Sequence, residues 1–122
     1  MKEFNFEKLP IVEIANEIIM DAVNKGASDI HFDPSQDSLK IRFRIDGILS
    51  DYSIIPSKYK RNMISRIKMI AGMNIMETRL PQDGAIKSKI GERFLDLRVS
   101  SLPTNNAEKI VIRILDYSMS LA

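Results

Sequence analysis

Leu39-Lys40-Ile41-Arg42-Phe43-Arg44-Ile45-Asp46-Gly47-Ile48 is the stretch on which the reading of the fold turns. Leu39, Ile41, Phe43 and Ile45 alternate with Lys40, Arg42 and Arg44, the period of a strand with one face buried and one in water. Asp46-Gly47 then supplies the two positive-φ positions of a two-residue hairpin turn. Setting Ile45 opposite Ile48 puts Arg42 opposite Asp51 on the polar face. The same register sets Ile41 against Tyr52 and Leu39 against Ile54 on the apolar face. An antiparallel hairpin is expected, its charges gathered on one side.

Working outward, Ile11, Ile14, Ala15, Ile18, Ile19, Ala22 and Val23 recur at helical spacing after Pro10, and Gly26 stands where a left-handed cap ends a helix. A helix over about 10–25 follows. Ser28 to Phe32 reads as a short strand closed by a turn at Pro34-Ser35-Gln36-Asp37. Beyond the hairpin, Met63, Ile64, Ile67, Ile70 and Ala71 share one arc of a second helix, from Pro56 to about Met73, flanked by Tyr59. Its polar side is assigned Lys58, Lys60, Arg61, Arg66 and Lys68, without one acid. It is the most cationic element of the chain.

The remaining third repeats the strand signal. A loop over 74–84 contains Pro81 and an Asp83-Gly84 turn, and is followed by strands over 85–90 and 93–102 joined at Gly91-Glu92. Pairing Ile90 with Arg93 sets Ile86 against Leu97 and Lys87 against Asp96. A loop at 103–108 leads to a last strand, Ile110 to Leu115. The order is αβββαβββ, an α+β fold of antiparallel strands with two helices. No motif is shared by the two halves, so a repeat is not supported.

Composition narrows the class. The chain has 122 residues, 44% hydrophobic and 28% charged, which suits one folded domain and excludes disorder. Its longest apolar runs are a few residues, so no transmembrane helix is expected, and the first residues lack the pattern of a signal peptide. A cytoplasmic setting is the expectation. With no cysteine and one histidine, neither a disulfide framework nor a metal site is expected. Charge is segregated: residues 1–37 hold three Lys and eight acids, net −5, against +7 for the rest.

No G-x-x-x-x-G-K-[ST] loop, no G-x-G-x-x-G and no G-x-S-x-G occurs. Catalysis by this chain alone is not expected. His31 alternates with Ile30 and Phe32, which favours a structural or hydrogen-bonding histidine over a general base. The informative cations are two arginines. Arg98 lies between Leu97 and Val99, and Arg113 between Ile112 and Ile114. If Leu102 pairs with Lys109, Arg98 falls directly against Arg113. Opposed like charges destabilise a sheet unless an anion sits between them, and a planar, permanently charged fork suits phosphate. Neutralisation by Asp96, Glu92 or water, or a shifted register, would serve equally.

The ordered motifs Pro10-Ile11-Val12, Gly26-Ala27-Ser28-Asp29-Ile30-His31-Phe32-Asp33-Pro34, Arg42-Phe43-Arg44-Ile45-Asp46-Gly47, Ser65-Arg66-Ile67-Lys68, Arg79-Leu80-Pro81-Gln82-Asp83-Gly84, Asp96-Leu97-Arg98-Val99-Ser100 and Val111-Ile112-Arg113-Ile114-Leu115-Asp116 cover about residues 10–116. Through them the chain resembles the N-terminal domain that precedes the P-loop core in the type II secretion and type IV pilus assembly ATPases. The resemblance implies an N-terminal extension over 1–9, a PAS-like (N2-type) domain over 10–116, and over 117–122 the start of a linker to a P-loop ATPase domain. It implies a regulatory, subunit-contacting part of a cytoplasmic homohexameric motor, which uses ATP and Mg, works at the inner membrane through a platform protein, and binds no nucleic acid. No cofactor is expected on this chain alone. Partners would be the RecA-like ATPase domain of the same or a neighbouring subunit, and Arg98 and Arg113 would contact ATP phosphates there. Asp29, His31 and Arg79 are further candidates. Relatives often carry Arg after Pro-Gln-Asp-Gly, where this chain has Ala85.

Two other classes remain open at this point. A PAS-like small-molecule sensor would hold a ligand between sheet and helix, although the Ile, Leu and Met content implies a filled interior. A nucleic-acid binder would use the cationic second helix, with affinity falling steeply in salt and aromatics placed to stack.

Overall fold

Both helices are cut out of the chain by the same device. The first, α1 (Ile11–Asn24), starts after an extended Pro10, and the second, α2 (Ser57–Ile70), after an extended Pro56. Each stops at a glycine in the left-handed region, Gly26 (φ 72°) and Gly72 (φ 75°). Behind α1 the amide of Ala27 donates to the Ala22 carbonyl and that of Gly26 to Val23. Behind α2 the amide of Met73 donates to Lys68 and that of Gly72 to Met69. These paired bonds satisfy the last carbonyls of each helix, and only glycine takes the turning position without strain.

The computed structural model describes residues 1–90 and 92–116; the linker expected over 117–122 lies outside the described residues. The strands are β1 (Asp29–Pro34), β2 (Ser38–Ile45), β3 (Ile48–Pro56), β4 (Gln82–Ile90), β5 (Arg93–Pro103) and β6 (Glu108–Asp116), giving the order αβββαβββ. They form one sheet in the order β3-β2-β1-β6-β5-β4, every neighbouring pair antiparallel. Two three-stranded meanders thus meet at β1 and β6. Both helices pack on one side, where Ile14, Ile18, Met63 and Ile67 close over Ile30, Phe32, Ile41, Phe43, Ile110 and Ile112, all at most 2% exposed. Burial of these side chains supplies the main stabilisation, about 1.5–3 kcal/mol each. Residues 1–9 are drawn in beside β3: Lys2 bridges Ser53, and Phe6 stacks on Tyr59 at 4.5 Å.

Four local expectations are corrected. Arg42 faces Asp51 as expected, but Ile41 faces Ser53 rather than Tyr52, and Leu39 faces Ile55 rather than Ile54. Tyr52 is the extra residue of a bulge, so Ile55 turns inward and Ile54 is left exposed. Secondly, the loop before β4 is shorter, because Gln82, Asp83 and Gly84 already belong to the strand. Gly84 serves close approach instead of a turn: a Cβ there would lie 2.4 Å from the Ala71 carbonyl oxygen, which accepts the Ala85 amide at 3.2 Å. Thirdly, Lys60 and Lys68 are not on a solvated helix face; they are 7% and 1% exposed. Finally, β1 runs on to Pro34 and β6 begins at Glu108, each strand being longer than its apolar core.

The buried lysines are satisfied. Lys60 donates to the Ser35 carbonyl at 2.7 Å. Lys68 Nζ reaches both carboxylate oxygens of Glu108 (2.8 and 2.9 Å) and the Glu77 carbonyl at 2.7 Å. Breaking one half of a buried pair leaves the other uncompensated. Lys68→Met is therefore expected to lower unfolding free energy by about 3–5 kcal/mol, and Lys68→Met with Glu108→Leu to recover most of it in denaturant melts. Gly84→Ala, which forces a methyl against backbone, is expected to cost about 1–3 kcal/mol; an unchanged midpoint would refute the close-approach role.

Candidate functional site

Helices cover one side of the sheet and leave the other to charged side chains. Following the pairings across it, one row reads Ala85, Arg98, Arg113, Asp29, Arg44 and Leu49, one residue from each strand. The next row reads Asp83, Ser100, Val111, His31, Arg42 and Asp51. The register expected for the last hairpin is the one observed: Leu102 faces Lys109 and Arg98 faces Arg113. Two guanidinium groups are thereby held side by side by strands buried on their reverse face.

Each arginine rests on its own acid. Arg98 Nη2 donates to Asp96 Oδ2 at 2.8 Å, and Arg113 Nε to Asp29 Oδ1 at 3.2 Å. The acids are covered while the cations are not: the side chains of Asp96 and Asp29 are 14% and 9% exposed, those of Arg98 and Arg113 59% and 69%. Between the two arginines lies a shallow depression of about 370 Å³, walled also by Ser100, Val111, Gly84 and the single carboxylate of Asp83. Because the guanidinium end of each pair stands in water, solvent screens its attraction to the covered acid, so the spare donors can turn to a second anion. Ala85 stands directly opposite Arg98, so the row carries a methyl group on its edge strand.

Of the other candidates, Asp29 lies in the arginine row as counter-ion of Arg113, with Ser28 Oγ donating to its second oxygen at 2.9 Å and the Arg44 guanidinium 3.9 Å away as a longer ion pair. The Arg113–Asp29 contact joins residues 84 apart in sequence, and nothing local in the chain announces it. His31 sits one row away with Nδ1 buried and without a hydrogen-bond partner among the described residues. Burial, and next the Lys109 charge, hold its pKa below the ordinary 6.5. Beside it, Asp33 is clamped by Arg42 at 2.8 Å and Lys109 at 3.1 Å. Burial alone would raise Asp33, but these hydrogen bonds outweigh it and hold the carboxyl below 3.8. Arg79 is not brought to this face. It lines a separate trough with Arg61 that shares no residue with the arginine depression.

A depressed histidine pKa means that the unfolded chain binds the proton first, so His31 erodes stability as pH falls below about 6.5. The Asp33 contribution is lost only further down, as pH falls below 3.8. NMR titration should place His31 below 6.5, and His31→Asn should flatten the upper part of the stability–pH curve while leaving the carboxylate part unchanged.

These features define a class: an α+β module whose helices close one side of a sheet and whose other side presents arginines. No three His, Cys, Asp or Glu side chains gather as a metal site among the described residues, and no helix among them is long and apolar enough to cross a membrane. The profile of the family described as "Type II/IV secretion system protein" matches residues 5–121, and the chain belongs to that family. It is 46% identical over 107 residues to "Type II secretion system protein E" of Xanthomonas campestris pv. campestris, covering 88% of this chain and 19% of that protein. It is 46% identical over 110 residues to "Type IV pilus assembly ATPase PilB" of Myxococcus xanthus, covering 89% and 19%. Against "Type II secretion system ATPase E" of Vibrio cholerae the identity is 41% over 107 residues, covering 88% and 21%. The chain thus corresponds to a domain-sized part of these proteins.

Proposed function

We propose that this chain is the N-terminal regulatory and subunit-contacting domain of a hexameric pilus-assembly or secretion motor, and that Arg98 and Arg113 contact the phosphates of ATP held by a RecA-like core of the same or a neighbouring subunit. The observation that carries this reading is the pairing of two exposed guanidinium groups in register above covered acids. In water the spare donors are of little consequence. In a closed interface, charge-assisted hydrogen bonds to phosphate become short and strong, and aimed cations lower the cost of charge that develops during phosphoryl transfer.

The donor set suits phosphate oxygens and not a divalent cation. ATP, when bound, supplies the transferable phosphoryl group; Mg²⁺ would be held by the ATPase core. What this chain contributes is binding and orientation: two cations whose spacing is fixed by backbone pairing. Losing the γ-phosphate would remove their shared ligand, and the domain would respond by rigid-body rotation against the core. The relatives named as type II secretion and pilus-assembly ATPases support this reading, as does the absence of a phosphate-cradling loop from this sequence. The further parts of the proposal are a cytoplasmic position at the inner membrane, held there through a platform protein, and a homohexameric assembly.

In the full-length ATPase, Arg98→Ala or Arg113→Ala is expected to lower ATP turnover by about 100-fold or more, as removal of one transition-state donor does. The 122-residue chain should still fold in both variants, because the side chains removed are exposed and Asp29 keeps Ser28 and Arg44 beside it. Turnover at the parental rate in both variants would remove the phosphate role. The 122-residue chain alone should hydrolyse no ATP.

A further inference from the structure

A second recess among the described residues shares no lining residue with the depression at the arginine row. It is a trough of about 650 Å³ between α2, the loop 74–81 and the turn between β5 and β6. Its floor is apolar, built from Ile64, Ile75 and Pro103, and Arg61 and Arg79 line it. Ile75 is left 40% exposed, an apolar side chain set among cations. The acid lining the trough, Glu108, is already neutralised by Lys68, and the Glu77 carboxylate in the wall is turned onto the Arg79 amide, which leaves Arg61 and Arg79 as the lining cations open to a ligand.

The walls are fixed before any ligand arrives. Gln82 holds the 74–81 loop from within, accepting from the Asn74 amide at 2.9 Å and donating to the carbonyls of Asn74 and Glu77 at 2.9 and 3.0 Å. Lys68 ties Glu77 from below at 2.7 Å. On the opposite wall, Thr104 Oγ1 accepts from the amides of Asn106 and Ala107 at 3.1 and 3.2 Å. Preorganised walls spare a ligand part of the ordering cost of binding. They also select the ligand. The amides of Met76, Arg79, Asn106 and Ala107 are all spent on side chains of their own loops, so no nest of N–H groups remains to cradle a phosphate. No aromatic residue lines the trough, which removes the stacking that single-stranded nucleic acid uses. Guanidinium forks beside an apolar floor suit carboxylates flanking an apolar anchor.

We propose that this trough docks an acidic peptide segment of a partner protein, an apolar side chain seated on Ile64, Ile75 and Pro103 and carboxylates paired with Arg61 and Arg79. The surface is independent of the phosphate reading above, since it uses neither Arg98 nor Arg113.

The test titrates the isotope-labelled 122-residue chain with an eight-residue peptide carrying Leu between Asp and Glu residues. Amide shifts should saturate and cluster at Ser65, Thr78, Arg79 and Asn105. Arg61→Glu with Arg79→Glu should weaken binding at least tenfold without lowering the melting temperature, and the milder Arg61→Gln and Arg79→Gln pair should weaken it severalfold. Arg98→Glu should bind as the parent does. A peptide with Gln and Asn for Glu and Asp, or with Ser for Leu, should bind several times more weakly. Shifts on the arginine-row face, or equal affinity for the neutral peptide, would overturn the proposal. So would an oligouridylate that occupies the trough more tightly than the peptide, which would make it a nucleic-acid surface.

Discussion

The pairing of β1 with β6 is the constraint on which the rest depends. It joins the first and last strands of the described fold, setting Ile30 against Ile112 and Phe32 against Ile110 on the core side. Without it the chain is two separate three-stranded meanders, each with an exposed edge and half a hydrophobic face. With it, one continuous sheet presents a surface broad enough for both helices to cover. The same pairing acts on the other face, where it brings Asp29 beside Arg113. One contact between distant strands therefore closes the core and composes the charged row.

Electrostatics on that row follow a vertical order. The carboxylates lie low and nearly covered, while the guanidinium groups project above them. Covered acids offset the repulsion between Arg98 and Arg113 that their register imposes, and this is what lets two like charges face each other in a stable sheet. Neutralisation by Asp96 and a role toward an anion are then not rival readings. The acid makes the arrangement tolerable in the free domain, and its weak hold on exposed cations leaves them available.

Much of this was legible in the chain because the deciding signals are local. The alternation over 39–45, the Asp46-Gly47 turn and the glycine after the first helix each specify geometry within a few residues, and the structure has them as read. The Arg98–Arg113 register was reachable because a short loop couples β5 to β6. Where reading failed, a tertiary contact decided. Tyr52 shifts the first hairpin by one because its ring stacks on Phe43 at 4.1 Å and its hydroxyl meets Asp21 on α1, contacts that no spacing encodes. Lys68 sits at a polar position of the helical pattern, yet its partner Glu108 comes from β6. Gly84 looked like a turn because its true reason, the Ala71 backbone, lies just past the end of α2. Asp29 could be singled out but not assigned, its arginine being at the far end of the chain.

The placement of the arginines also limits how such a domain can work. Both project from strands paired on either side and packed on helices beneath, so neither can advance toward a ligand by loop movement. Dense packing resists small displacements and passes them on whole. In the proposed role, a change of distance between these side chains and a phosphate would have to be taken up outside the sheet, by moving the domain as one body. Loop-borne arginines could follow a departing phosphate and leave the fold behind; arginines fixed in a sheet cannot. That rigidity is what would turn the presence or absence of one anion into a displacement of the whole module.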